Sequence, residues 1–228
     1  EAVCPVWATP GAASVLSATG WFFLTEYRSL TRGYLKITDV TVQRYSWPKP
    51  KPISNGKYTY SIAGLNLVEV HTDEGISGIG WGGGTAAGRP GEIVTALVEH
   101  YKQALIGEDP FAYRRHWDAM WEPKIVGRRG MSTQVLSAID IALWDLMGKT
   151  LDISVHKMLG GYTDRIPTYI AGGYYEEGKG LKELAEEMEQ NLDLGARAVK
   201  MKIGGVAVKE DLDRVRVVRE TIGPDIKL

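Results

Sequence analysis

From residue 166 onward the chain changes hydrophobic period in strict alternation, β then α, and this narrows its possible folds more than any other feature. Residues 166–171 are short, β-rich and apolar, and Pro167 is tolerated at a strand start. Leu181, Leu184, Ala185, Met188 and Leu192 share one helical face, and Gly195 ends that helix. Residues 198–203 read as a second strand. Leu212, Val215, Val218 and Ile222 define a second helix, closed by Gly223 and Pro224. Residues 226–228 begin a third strand. Strands separated by helices pair in parallel, because a parallel neighbour needs a crossover long enough to hold a helix. The pattern alone allows a doubly wound sheet or a barrel. A complete barrel takes about 250 residues, and residues 166–228 amount to roughly a quarter of that. Such a sheet carries an unpaired apolar edge, so the isolated chain is expected to aggregate. A sharp monomeric gel-filtration peak with cooperative melting would contradict this.

Upstream, strands come first and helices follow. Residues 36–45 alternate in the manner of a half-buried strand. Trp47, Pro48, Lys49, Pro50, Lys51 and Pro52 then read as a polar loop, since proline cannot serve a central ladder. Residues 65–72 and 76–81 flank the turn Asp73-Glu74-Gly75 and form a hairpin, which makes three antiparallel strands. Pro90 suits a first helical turn, and Ile93, Leu97, Tyr101 and Leu105 continue that helix to Gly107. Asp109 is placed to cap a second helix through Phe111, Arg114, Trp117 and Trp121. A third runs from Ser132 through Lys149, with Val135, Ile139, Ala142, Leu143 and Leu146 on one stripe. A sheet followed by a helix cluster is an α+β layout. The expected organisation is a leader over 1–34, an α+β domain over 35–160 and a partial parallel α/β domain over 161–228.

The leader lacks either period and begins with Glu1. Its apolar stretch, 11–24, is too short and too polar for a membrane span, and no basic residue precedes it. We expect Leu35 to be the true start, encoded by an alternative initiation codon. Recovery of a peptide from residues 1–34 in the natural protein would sink that expectation.

Lys plus Arg total 27 and Asp plus Glu 28, a net charge of -1, which supplies no attraction toward nucleic acid or an anionic membrane. Cys4 is the sole cysteine, and His71, His100, His116 and His156 lack zinc-ligand spacing, so they read as surface or satisfied histidines. A cytoplasmic protein fits this usage.

Side chains alternate along a strand, so within 198–203 Lys200 and Lys202 share one face while Val199, Met201 and Ile203 share the other. Two ammonium groups held close repel, and burial also disfavours their charge. Both effects lower the pKa and allow a neutral amine to act as a base. The alternative is a solvated edge strand with ordinary surface lysines.

The run Ala138-Ile139-Asp140-Ile141-Ala142-Leu143-Trp144-Asp145-Leu146-Met147-Gly148-Lys149, continued by Ser154-Val155-His156-Lys157-Met158-Leu159-Gly160-Gly161, resembles the signature of the mandelate racemase/muconate lactonizing enzyme family of the enolase superfamily. Within it, Asp140 and Asp145 read as hydrogen-bonded helix-surface acids. The resemblance implies a capping domain followed by a TIM-like barrel, truncated here at the third barrel strand. It also implies that Lys202 takes the proton α to a substrate carboxylate while Lys200 steadies the charge on the carboxylate oxygens. Mg²⁺ would bind that carboxylate, with its ligands beyond the end of this chain, so the chain alone should be inactive.

In the resembled family two capping loops close over the barrel mouth. Here they would be 46–60 and 82–89, offering Trp47, Lys51, Tyr60 and Thr85 as substrate contacts. Gly82-Gly83-Gly84-Thr85 lacks the Gly-Lys-Ser/Thr ending of a phosphate loop and reads as a lid hinge. The expected activity is that of a lyase or isomerase acting on a small carboxylate, first of all an acid-sugar dehydratase. Racemase or epimerase and cycloisomerase activities are the alternatives within the family. A non-catalytic binding protein on a degenerate barrel and an open-sheet α/β enzyme are alternatives of other classes. The full-length protein is expected to be a homo-oligomer.

Overall fold

Alternating β-branched residues draw the first strands together. The computed structural model describes residues 35–82, 91–121 and 130–228. In it β1 (Ile37–Ser54), β2 (Thr59–Thr72) and β3 (Ser77–Trp81) form an antiparallel sheet in that order. Ile37, Val40, Val68 and Val70 point into the core. Gly75 closes the β2–β3 turn with its N–H on the Thr72 carbonyl, 3.2 Å away.

The Pro- and Lys-rich stretch expected to be a loop is sheet. β1 continues to Ser54 and pairs with β2 as far as Thr59, with a register shift between Pro48 and Ile53. Two circumstances reconcile this with the prolines. β1 is an edge strand, so a missing N–H on its free side costs nothing. The shift also sets residues 49–52 opposite Ser61 alone, a bulge that takes up the rest. Asn55-Gly56 supplies the turn, with Asn55 Oδ1 accepting from the N–H groups of Lys57 and Tyr58 at 3.1 and 2.9 Å.

The helices are α1 (Gly91–Lys102), α2 (Tyr113–Met120), α3 (Met131–Leu151) and α4 (Val155–Met158). Tyr101 and Leu105 of the expected stripe are buried and Leu97 is partly so, but at the start of α1 Val94 and Val98 turn inward and Ile93 is exposed. Asp109 caps a turn rather than α2: its carboxylate accepts from Phe111 N at 2.9 Å, and α2 starts after Ala112. His116 is buried with Nε2 2.7 Å from the Asp109 carbonyl, and His71 Nε2 lies 3.0 Å from Thr41 Oγ1, both satisfied histidines.

α3 carries the signature run and lies against β3. Val135, Leu136, Ile139, Leu143 and Leu146 are fully buried. A Cβ at Gly78 would stand 2.1 Å from the Ala142 carbonyl oxygen, and one at Gly80 would stand 1.9 Å from that of Ala138. The helix therefore rests on the strand's bare backbone. Asp145 Oδ2 accepts from Ile79 N at 2.8 Å and pairs with Lys149 at 2.7 Å, tying the free edge of β3 to the helix. Burial pushes the Asp140 carboxyl up.

β4 (Ile170–Ala171) and β5 (Val199–Lys200) pair in parallel, and Lys227 bridges Ala198 in parallel on the far side of β5. The regular strands are shorter than 166–171 and 198–203. α5 (Leu181–Asp193) and α6 (Val208–Ile222) pack together over the sheet, and Leu184, Met188, Val199, Val218 and Ile222 share one core. Strands in chain order, with both helices on one face, are the geometry of successive right-handed βαβ units, as at the opening of a barrel or in one half of a doubly wound sheet. α6 departs from expectation in turning Arg214 inward and leaving Leu212 exposed. Among the described residues no helix is long and apolar enough to cross a membrane.

Candidate functional site

The expected alternation holds through residue 202. Val199 is buried and Met201 packs against the same core, which leaves Lys200 and Lys202 to the opposite face. Ile203 does not join the apolar set; it is 61% exposed, beyond the last strand residue. The neighbouring Lys200 amine first, then burial, holds Lys202 below the ordinary lysine range.

Two tyrosines complete this surface, and neither was singled out from the sequence. Lys200 Nζ lies 5.7 Å from the centroid of the Tyr169 ring, and Lys202 Nζ lies 5.0 Å from that of Tyr174. Aromatic faces attract cations, so the Tyr174 ring opposes the loss of charge that Lys200 imposes on Lys202. Parity is the signal that finds Tyr169: it lies two residues before Ala171, which is paired with Lys200. Tyr174 and Tyr175 follow Gly172-Gly173 directly at the end of β4.

That glycine pair has a steric reason. Gly173 adopts φ 60°, and a Cβ there would stand 2.6 Å from Met201 Cβ. The close approach brings Lys202 N to the Gly173 carbonyl at 3.3 Å. Glu187 on α5 accepts from Gly173 N at 3.2 and 3.1 Å and pairs with the well-covered Lys179 at 2.8 Å.

The other expected contacts are dispersed. Trp47 is exposed and paired with Ala63, and Lys51 is exposed within the bulge. Tyr60 is half-buried, and its hydroxyl accepts from Asn55 Nδ2 at 2.8 Å, so it props the hairpin turn. Thr85 and most of 82–89 lie outside the described residues. The hairpin tip is what meets the ends of the parallel strands: Ser54 and Tyr175 exchange N–H···O bonds of 2.8 and 3.0 Å.

Among the described residues no three His, Cys, Asp or Glu side chains gather as a metal site. Around the lysine pair stand amines and phenols, which do not suit Mg²⁺. The carboxylates that hold the backbone at Gly173 and Gly204 are engaged, Glu187 by Lys179 and Asp211 by Tyr175.

The family model for the mandelate racemase/muconate lactonizing enzyme N-terminal domain matches residues 37–160. The chain is 34% identical over 161 residues to the arabinonate dehydratase of Saccharolobus solfataricus, covering 70% of this chain and 43% of that protein. It is 34% identical over 197 residues to the D-galactarolactone cycloisomerase of Agrobacterium fabrum, covering 85% of this chain and 50% of the relative. The crystal structure of a racemase from Streptomyces coelicolor with bound magnesium superposes with a TM-score of 0.76 at 30% identity, over 83% of this chain and 53% of that one. The chain spans about half the length of these relatives. A capping sheet and helix cluster joined to the opening of a barrel, with a match running through the signature helix, make this chain a member of the mandelate racemase/muconate lactonizing enzyme family.

Proposed function

We propose that the protein carrying this chain abstracts the proton α to a carboxylate, with Lys202 as base and Lys200 as the group that steadies charge on the carboxylate oxygens. The observation that carries this reading is the pairing of the two amines on one face at the end of β5, with Lys202 held below the ordinary lysine range. An enolate is too unstable for an amine base to form unaided, so preorganised positive charge must do most of the work. Magnesium on the substrate carboxylate, held by residues of the whole protein other than these, is the cofactor we propose for that task. In this reading residues 35–160 cap the site and 161–228 begin the barrel.

The substrate we favour is an acid sugar, and the outcome a dehydration, as the named activity of one relative suggests. Cycloisomerisation is the second reading, because a relative so named matches at the same identity over more of the chain. The test is the full-length protein with a panel of sugar acids and lactones in deuterated water. A 2-keto product is expected. Deuterium at Cα without net loss of substrate would instead mean racemisation or epimerisation, and interconversion of acid and lactone would mean cycloisomerisation. No exchange with any carboxylate would favour a binding protein.

A further inference from the structure

Tyr175 touches three parts of the molecule. Its backbone pairs on both sides with Ser54 at the tip of the β1–β2 hairpin. Its hydroxyl donates to Asp211 Oδ1 on α6 at 2.6 Å and accepts from Gly205 N at 3.0 Å. Its ring covers the Arg214 guanidinium at 4.2 Å. The same partners hold the backbone on both sides of Lys202. Upstream, the Gly173 carbonyl accepts both Lys202 N and the Arg214 guanidinium, the latter at 2.8 Å. Downstream, Gly204 N donates to Asp211 Oδ2 at 2.6 Å.

Arg214 is 6% exposed, so its bond to the Gly173 carbonyl is shielded from water, where hydrogen bonds hold geometry best, while the Gly204 and Gly205 amides lie at the surface. The hairpin tip also presses on the same loop directly, because a Cβ at Gly56 would stand 2.8 Å from the Gly204 carbonyl carbon and 2.9 Å from Gly205 N. Residues 203–205 are thus clasped between the hairpin tip, Tyr175 and α6.

We propose that Tyr175 is a positioning residue that couples the capping hairpin to Lys202, so that displacing the hairpin tip displaces the base. The proposal rests on reading Lys202 as the base, but the coupling is measurable without turnover. Tyr175→Phe keeps the ring over Arg214 and the backbone pairing with Ser54, and it removes only the hydroxyl. In the intact protein that carries this sequence, amide exchange should quicken by about tenfold or more at Ser54 and Lys202 as well as at Gly205. Gly56→Ala, made on the hairpin side, should quicken exchange at Gly205 and Lys202. Both variants should also displace the pH profile of Lys202 acylation by acetic anhydride, because that profile depends on the distance to Lys200.

If Tyr175→Phe changes only Gly205, or Gly56→Ala changes only residues 54–60, the two sides are not coupled. An unmoved acylation profile with altered exchange would reduce Tyr175 to a structural role, which also overturns the proposal. Altered exchange and a moved profile in a protein that exchanges no α-proton would leave the coupling intact and remove the proposed function instead.

Discussion

Lys202→Ala in the full-length protein is expected to lower kcat/KM by about a thousandfold, the scale of a lost general base, with substrate binding largely kept. Only the free amine accepts a proton, so the rate should rise with pH through the pKa of Lys202 and then level. Lys200 holds that pKa below the ordinary lysine range, and the rise should therefore fall at lower pH than for an isolated lysine. Lys200→Leu removes the neighbouring amine. The rising limb should then move to higher pH, and the plateau should drop as carboxylate charge loses its partner. The Tyr169 and Tyr174 rings favour the charged amines, and Tyr174→Leu should shift the limb the opposite way, toward lower pH. A Lys202→Ala enzyme within tenfold of the parent, or a limb that ignores Lys200, would remove Lys202 from the base role.

Gly80→Ala should destabilise the protein by about 3 kcal/mol or more, an overpacking penalty at the high end because the obstacle is backbone. The added methyl would lie 1.9 Å from the Ala138 carbonyl oxygen and 2.9 Å from Ala142 N, and a helix whose buried face is already full cannot tilt away cheaply. Gly75→Ala is the control. Nothing stands within 4 Å of its Cβ, and its φ of 75° carries only local strain of about 1 kcal/mol. Urea unfolding of the two variants separates close approach from backbone strain. Equal losses would mean that α3 does not rest on the β3 backbone as described.

The same contact explains the signature run. The backbone of Ala138 and Ala142 rests on Gly80 and Gly78, and Asp145 is acidic because the Ile79 N–H points to it. The motif identified the family while naming no reacting group, and the structure gives its role as a helix-on-strand joint. Ile93 and Leu212 show why helical stripes were readable only to within a residue. A stripe can turn at its start while the period survives, and the choice depends on what packs opposite. Residues 46–60 show a sharper conflict. Three prolines argued for a loop, and the stretch is sheet all the same, because β1 has a free edge and Asn55-Gly56 turns it back onto β2.

Local chemistry in the chain was enough for the order of elements, the antiparallel hairpin, the parallel pairing of the later strands and the shared face of Lys200 and Lys202. Each follows from side-chain period or turn preference, which act over a few neighbouring residues. The placing of Tyr169 and Tyr174 against the lysine amines, the seating of the hairpin tip on Tyr175 and the clasp of Asp211 and Arg214 around Lys202 did not follow from it. Those contacts join residues far apart in the chain, and they form only where packed layers and a glycine-bared backbone bring the surfaces together.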